Sequence, residues 1–431
     1  MAAHLVFGLL CSVNLAWAVI PGEIQNYLKT QLSSSSEVQR WNAYDAPSFV
    51  MRVKPATAND VATIVRYASS NSILFIGTGG GHGYTTTTSA LKNGINIDLG
   101  GFKGVSIDSA ASKMTIGGAV TFGEVLNLVY KAGKEIKTGS CSCVGMVGAT
   151  IGGGIGVYQG LHGLIIDALQ SMTIVTGKGD IVNASLSENS DLFWNFGLIT
   201  SATYKLHEQT NRGQALNSDF LFPVSANATI FNVLKSFIQN QPDALDQRYT
   251  IVVIMVNAVY VGTENDGRKI LQPLLSVKAL QSNVTMIPYN RLFLENRFGV
   301  DPLGCISGIP QASYGMNPYL YGFATYQKTL AAYIDFYAAT NLTTSYMVTE
   351  IFPTRVSLKT PDQATAYPYR ATMAGFTTNA QTSAIAKFTK EIRENFAKLN
   401  GAKGLEVYVN YTHGDEGRNA WYTAAKLSQL S

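Results

Sequence analysis

Charge is scarce in this chain of 431 residues: Asp, Glu, Lys and Arg together make up 14%, and the formal net charge is only +4. No basic run stands out, which excludes the electrostatic footprint that a nucleic-acid partner requires. Beyond the N-terminus no stretch reaches the roughly 18 apolar residues that span a bilayer. Internal repeats and low-complexity segments are missing, and with 46% hydrophobic residues the chain has ample material for a core. The length suggests about two or three domains. A monomer is expected.

The N-terminus is the exception to the short apolar runs. Leu5 to Ala18 is apolar and ends in the small-x-small triplet Ala16-Trp17-Ala18. Residues 1–18 therefore read as a secretory signal, although Lys and Arg are missing from its start; the alternative is an apolar helix that stays in the cell. Cleavage would remove Cys11 and leave Cys141, Cys143 and Cys305. An odd set cannot pair completely, so at least one thiol is free or otherwise bonded. Cys141 and Cys143, two apart on one turn, are poorly placed to bridge each other. In a secreted chain the sequons at Asn183, Asn227, Asn283 and Asn341 would be glycan acceptors, whereas Asn410-Tyr411-Thr412 reads as buried at a site.

Glycine is what the chain has in quantity, concentrated in two turns. The first is Ile76-Gly77-Thr78-Gly79-Gly80-Gly81-His82-Gly83-Tyr84. The second is Gly139-Ser140-Cys141-Ser142-Cys143-Val144-Gly145, followed by Gly148 and Gly152-Gly153-Gly154-Ile155-Gly156. Without a Cβ, such backbone approaches a ligand closely, and successive N–H groups form concavities that hold anions such as a pyrophosphate. Each turn carries a reactive side chain, His82 in the first and Cys141 or Cys143 in the second. The pattern suggests a cofactor both cradled and tethered. No metal site is read from the sequence.

In chain order, residues 21–45 look helical, with a break at Ser33–Ser36. Asn59-Asp60-Val61 caps a helix running to about Ser70, and Leu74-Phe75-Ile76 is a strand entering the first glycine turn. Residues 95–99 and 113–116 alternate as strands, and a helix over 121–132 begins with a Thr121 cap and Glu124 at its third position. Asp167–Thr176 reads as a strand returning through the Gly177–Asp180 turn to a partner at 181–184. Gly197–Leu206 is another strand. Past 209, strand-like runs such as Tyr249–Tyr260 alternate with helices at 228–239 and 267–274. Tyr314, Tyr319, Tyr321, Tyr326, Tyr333 and Tyr337 are expected chiefly in the core there. Helix 381–399 leads to an alternating strand over 405–411.

A Rossmann dinucleotide site, with Asp98 as its ribose acid, fails on spacing. Gly77-x-Gly79-x-x-His82 and Gly154-x-Gly156-x-x-Gln159 both lack the third glycine, and Thr85–Ser89 is poor helix material.

The ordered set Gly80-Gly81-His82, Gly139–Gly145, Gly152–Gly156 and Gly160-Leu161-His162-Gly163-Leu164-Ile165-Ile166-Asp167 resembles the flavin-binding domain of the berberine-bridge-enzyme-like oxidases, in the vanillyl-alcohol-oxidase/PCMH superfamily. Tyr408-Val409-Asn410-Tyr411 with His413-Gly414-Asp415-Glu416 is similar to fungal members. The resemblance covers roughly residues 45–208 and 380–431. It implies an α+β fold: a two-subdomain FAD-binding domain of PCMH type over 19–208, a substrate domain with an antiparallel sheet backed by helices over 209–380, and a return to the FAD domain over 381–431. It implies FAD bonded covalently to His82, with Cys141 as a second link. Gly79, Gly80, Gly81, Gly83, Val144, Gly145, Gly148, Gly152, Gly156, Gly163, Ile199, Tyr408 and Asn410 are the implied cofactor-binding set. Tyr411 matches the catalytic base, and because a free tyrosine titrates near 10, it needs help. Asp415, Glu416 or a middle-domain residue is expected to give it. His162 and His413 are expected to be structural.

Three departures stand out: Thr78 in place of an Arg, a Trp194–Asn195 junction without the usual Arg-Gly-Ala/Gly-Gly stretch, and an end at Ser431 ahead of the usual closing helix. The implied activity is that of a secreted FAD oxidoreductase acting on a small organic molecule, with O2 as acceptor, in a tailoring step of fungal secondary metabolism. The rivals are an oligosaccharide oxidase, a flavin-fold cyclase or isomerase without net oxidation, and a non-catalytic remnant of the fold.

Overall fold

The computed structural model describes residues 40–193, 197–251, 254–318, 322–340, 346–371, 374–379 and 383–430. The proposed signal at 1–18, Cys11, most of the 21–45 helix, the Trp194–Asn195 junction, Tyr319, Tyr321 and Asn341 lie outside the described residues.

Helix α1 (Ala58–Ser70) turns Val61, Ile64, Val65 and Ala68 inward, the three- and four-residue spacing of one helical face. Its cap is Thr57 rather than the Asn59–Asp60 pair. Thr57 Oγ1 accepts from the Asp60 N–H while the Asp60 carboxylate accepts from the Thr57 N–H, a reciprocal box that satisfies two end groups at once. This helix covers a parallel sheet of β1 (Phe49–Val53), β2 (Phe75–Thr78) and β3 (Gly94–Asp98) in the order β1-β3-β2. Asp98 pairs with Arg52 at 2.6 Å and accepts from the Gly100 N–H, so it is spent on the fold.

An antiparallel sheet follows, built from β4 (Val105–Asp108), β5 (Lys113–Gly117), β7 (Leu169–Val175), β8 (Ile181–Ser185) and β9 (Leu198–Lys205), ordered β4-β5-β9-β7-β8. Helix α2 (Phe122–Lys131) carries the expected Thr121–Glu124 box. The strand expected from Asp167 begins only at Leu169. Asp167 instead closes a helical turn, Ile165–Ala168, by accepting from the Leu164 N–H at 2.9 Å. A short ladder, β6 (Lys134–Glu135) with β10 (His207–Glu208), links the end of this region to α2.

The remaining strands form one antiparallel sheet of seven: β11 (Gln214–Phe222), β12 (Leu245–Ile251), β13 (Ile254–Tyr260), β14 (Gln281–Pro288), β15 (Ala312–Met316), β16 (Tyr346–Ile351) and β17 (Ala374–Asn379), ordered β14-β11-β13-β12-β16-β17-β15. The Tyr249–Tyr260 run is therefore two strands, not one. Helices α3 (Asn227–Gln239), α4 (Phe323–Thr340) and α5 (Ser383–Ala397) back one face. Phe231, Leu234, Tyr326, Leu330, Tyr333 and Phe396 fill that layer against Phe220, Phe222, Val256 and Met347. Each such side chain contributes about 1.5–3 kcal/mol by leaving water. Tyr326 and Tyr333 are thus core, as expected.

The opposite face of the same sheet is polar. One row of register partners runs Asn283, Asp219, Asn257, Arg248, Glu350 across five strands. Since side chains alternate between faces, Phe220 and Val256, one step along, lie on the helix side. The polar row looks toward the glycine turns.

Two expectations fail locally. Residues 40–45 are not helical; Asn42 makes a parallel bridge to Ile309 and exchanges hydrogen bonds with Gln311. Residues 405–408 are extended but unpaired, and Val409–Tyr411 is a single 3₁₀ turn. Partners at two places take their backbone: Glu406 C=O accepts from Asn317 N–H, Val407 N–H donates to the Ala420 carbonyl, and Tyr408 N–H donates to Asn317 Oδ1.

Candidate active site

The two glycine turns touch backbone to backbone. A Cβ on Gly80 would lie 2.6 Å from the Gly145 nitrogen, and one on Gly79 would lie 2.7 Å from the Gly118 oxygen. No other residue fits at these points, which is the physical reason for both glycines. The amides of Gly79, Gly80 and Gly83 have no protein acceptor among the described residues, and open amides in a tight turn suit an anion. The second cluster is different. Gly154 and Ile155 donate to the Tyr408 hydroxyl at 3.1 and 3.3 Å, and Gly156 donates to Gln159 at 3.4 Å. Gly163 N–H is taken by the Gln159 carbonyl.

Asn410 donates to Tyr408 Oη at 2.7 Å and to the Ala149 carbonyl at 3.0 Å, and a Cβ on Gly152 would collide with it at 2.2 Å. Tyr408 and Asn410 therefore lock the second cluster from behind, and burial pushes the Tyr408 phenol up to about 12. Gly148 faces open space, and the Ile199 carbonyl sits where a Cβ on Gly118 would fall.

The reactive side chains converge. A ring nitrogen of His82 and the sulfurs of Cys141 and Cys143 all lie within 4.8 Å of one another. Cys143 is joined to Cys305 in a disulfide, and Cys141 is the free thiol among the described residues, 3.7 Å from Cys143 and 3.9 Å from Cys305. With Cys143 and Cys305 joined, neither sulfur is a thiolate donor, so neither cysteine trio is a metal site. Burial lowers His82 to about 4, leaving the imidazole neutral and nucleophilic at physiological pH. Burial and Asp301 raise the Cys141 thiol to about 11, partly countered by Arg297 and Arg248.

At the other end stands a group of charges. Tyr411 Oη donates to Glu350 Oε2 at 2.6 Å, Ser140 Oγ donates to Glu350 Oε1 at 2.7 Å, and Arg248 Nε lies 3.6 Å from the same carboxylate. Gly315 on β15 admits the turn that carries Tyr411, since a Cβ there would meet the Tyr411 carbonyl at 2.4 Å. Burial and Glu350 push the Tyr411 phenol well above its ordinary 10, against a smaller opposing pull from Arg248. The acidic side chain that meets Tyr411 is Glu350, a middle-region residue. Asp415 and Glu416 are occupied elsewhere, Asp415 with Arg393 and Glu416 with Arg393, the His413 amide and Trp421.

Sequence reasoning named neither Glu350 nor Arg248. The available signal was a lone carboxylate in the apolar run Tyr346-Met347-Val348-Thr349-Glu350-Ile351, because an unpaired charge is costly in a buried strand. Ser140, Arg248, Asn257, Arg297 and Glu350 help to line a small cavity of about 10 Å³. His162 contacts Glu135 at 2.7 Å and His413 contacts the Ser313 carbonyl at 3.1 Å.

These residues fit FAD. The first turn offers open amides to a pyrophosphate, His82 and Cys141 stand close enough to reach one ring edge, and Thr78 Oγ1 and Thr138 Oγ1 are buried with no partner among the described residues.

Residues 50–185 match the FAD binding domain family. The chain is 36% identical to the FAD-linked oxidoreductase azaL of Aspergillus niger, over 94% of this chain and 92% of that one. Its fold is similar to that of the xylooligosaccharide oxidase of Myceliophthora thermophila (TM-score 0.81, 18% identity, 94% of each chain). The glucooligosaccharide oxidase of Acremonium strictum, described with a 6-S-cysteinyl, 8α-N1-histidyl FAD, gives 0.78 at 18% identity, also over 94% of each chain. Among the described residues no helix is long and apolar enough to cross a membrane. With open first-turn amides, a neutral His82 and a curated relative alike over nearly its whole length, the chain belongs to the family of fungal FAD-linked oxidoreductases, enzymes that bind FAD.

Proposed function

We propose that the protein oxidises an alcohol or amine-bearing carbon of a small organic molecule, with O2 as the final acceptor, as a tailoring step in fungal secondary metabolism. The carrying observation is the 2.6 Å hydrogen bond from Tyr411 to Glu350. FAD, once bound, supplies the hydride acceptor, and His82 with Cys141 would hold its dimethylbenzene edge. Tyr411 does not act as a phenolate, since burial and Glu350 both oppose that form. It relays instead: its oxygen accepts the substrate hydroxyl proton as its own proton passes to Glu350 Oε2. Arg248 and Ser140 fix the carboxylate for that transfer.

The loop beside the site exposes Leu303 and Ile306, which favours a substrate with apolar surface. A second reading, oligosaccharide oxidation, draws its support from the fold neighbours. The Cys143–Cys305 disulfide fits a secretory route, because such bonds persist in oxidising compartments.

The test is a visible spectrum of the purified protein before and after acid precipitation, followed by oxygen uptake with phenolic alcohols, amines and oligosaccharides. Yellow protein that consumes oxygen with a small organic alcohol or amine supports the proposal. Uptake confined to sugars selects the second reading. A flavin that turns over substrate without oxygen uptake points to a cyclase or isomerase.

A further inference from the structure

The imidazole of His82 has glycine on both sides in sequence, Gly81 and Gly83, so its neighbours along the chain cannot wall it in. Its orientation comes from elsewhere. The Trp41 indole, 9% exposed, stacks on the ring with centroids 4.2 Å apart and planes inclined by 18°. The Trp41 backbone N–H donates to the Gly81 carbonyl at 3.1 Å, and its indole N–H donates to the Gly304 carbonyl at 2.7 Å. The Gly308 N–H in turn donates to the Trp41 carbonyl at 2.9 Å, and Asn42 is bonded both ways to Gln311. Gly304 immediately precedes Cys305, which the disulfide fastens to Cys143 on the second glycine turn. A continuous set of bonds therefore runs from the second turn, through the disulfide and the 304–311 loop, to Trp41 and back to the first turn.

We propose that Trp41 is the positioning residue that sets the His82 imidazole for covalent attachment of FAD, and that the Cys143–Cys305 disulfide holds its anchoring loop. This rests on the reading of His82 as the flavin-linked residue. Attachment makes one bond from an imidazole nitrogen to the 8α carbon. One hydrogen leaves that carbon and one leaves the imidazole, and with their two electrons they reduce dioxygen to hydrogen peroxide. The step needs the nitrogen lone pair aimed at one carbon. A ring free to turn about its side-chain bonds loses that aim, and an error of about 1 Å can cost up to about 100-fold in rate. Stacking fixes the ring plane while leaving both nitrogens at its edge.

The experiment uses the full chain in a Cys141→Ser background, so that acid-stable flavin reports His82 alone. Total bound FAD is read from absorbance, and the covalent fraction from acid precipitation and the mass of the His82 peptide. Trp41→Leu is expected to bind FAD yet show an about tenfold lower covalent fraction at matched incubation times. Trp41→Phe, which keeps a stacking ring, is expected to restore most of it. Asn42→Ala, which loosens the strap without touching the ring, is expected to lower it about threefold and covers the case in which Trp41→Leu fails to fold. Wild-type covalent fractions in Trp41→Leu, or in Asn42→Ala should Trp41→Leu not fold, overturn the proposal. Acid-stable flavin persisting in His82→Ala shows instead that the attachment residue is misread, and the role of Trp41 falls with it.

Discussion

The site has two ends made by different means. At the histidine end, backbone lies against backbone: Gly80 meets Gly145 with no room for a Cβ, and His82 is half-buried and neutral. At the phenol end, the work falls to charged and polar side chains. Asp219, Asn257, Arg248 and Glu350 come from four strands, and Tyr411 from a turn against a fifth, β15. The first kind of construction tolerates no substitution at the contact points but makes little use of charge. The second tolerates changes of shape but must keep its charges paired, because each sits where water cannot replace a lost partner. Asp219 shows the cost. It accepts from Asn217, Asn257 and the amides of Arg297 and Phe298, two residues held at left-handed φ of 53° and 55°. The Arg297 side chain so placed donates to the Ser140 carbonyl, beside Cys141.

The sharpest way to separate the ends is Tyr411→Phe. Removing the relay is expected to lower kcat by about 10²- to 10⁴-fold while the bound flavin keeps its colour. Unchanged kcat would take the chemistry away from the sheet. Replacing both Cys143 and Cys305 by Ser opens a link spanning 162 residues. It is expected to cost about 3 kcal/mol in a urea titration, with flavin attachment impaired more than substrate oxidation by enzyme already loaded. Asp219→Ala is expected to cost about 2–4 kcal/mol by leaving four buried donors unpaired, lowering Tm and raising KM, whereas Asp219→Asn recovers part of it.

The smallest expected effect lies at the seam between the two regions. His207 stacks on His162 at 3.9 Å and pairs in register with Glu135, and Lys205 lies nearby. Burial, His162 and Lys205 lower it from 6.5 to about 4. The unfolded chain therefore takes up this proton first. Stability attributable to His207 is full above about 6.5 and is lost as pH falls from there to about 4. Allowing for solvent screening at this partly exposed ring, the loss is about 1–2 kcal/mol. His207→Gln should flatten the stability difference between pH 7.5 and pH 4.5; an unaltered difference would assign it to other groups.

The histidine end was legible in the sequence because its parts are consecutive. Gly79–Gly83 and Gly139–Gly145 announce turns that need missing side chains, and a reactive residue inside such a turn has little packing to serve. Helix α2 was equally plain, since a capping box is complete within four residues. The phenol end was only half visible. Tyr411 stood out through its neighbours, but its strand dissolved into a turn once Asn317 and Ala420 took the backbone bonds. Trp41 lay in a stretch expected to be helical. The pairing of Cys143 with Cys305, rather than Cys141, could not be chosen from spacing.

The sequence by itself determined the glycine turns, the amphipathic helices, the ordered motifs of an FAD-binding fold and the fact that at least one cysteine of the set stays unpaired, because each is a property of neighbouring residues. The tertiary structure alone decided that Glu350 and Arg248 face Tyr411, that Trp41 covers His82, and which sulfur remains free. Those contacts depend on strand register and chain crossing, where a slip of one residue turns a side chain to the opposite face.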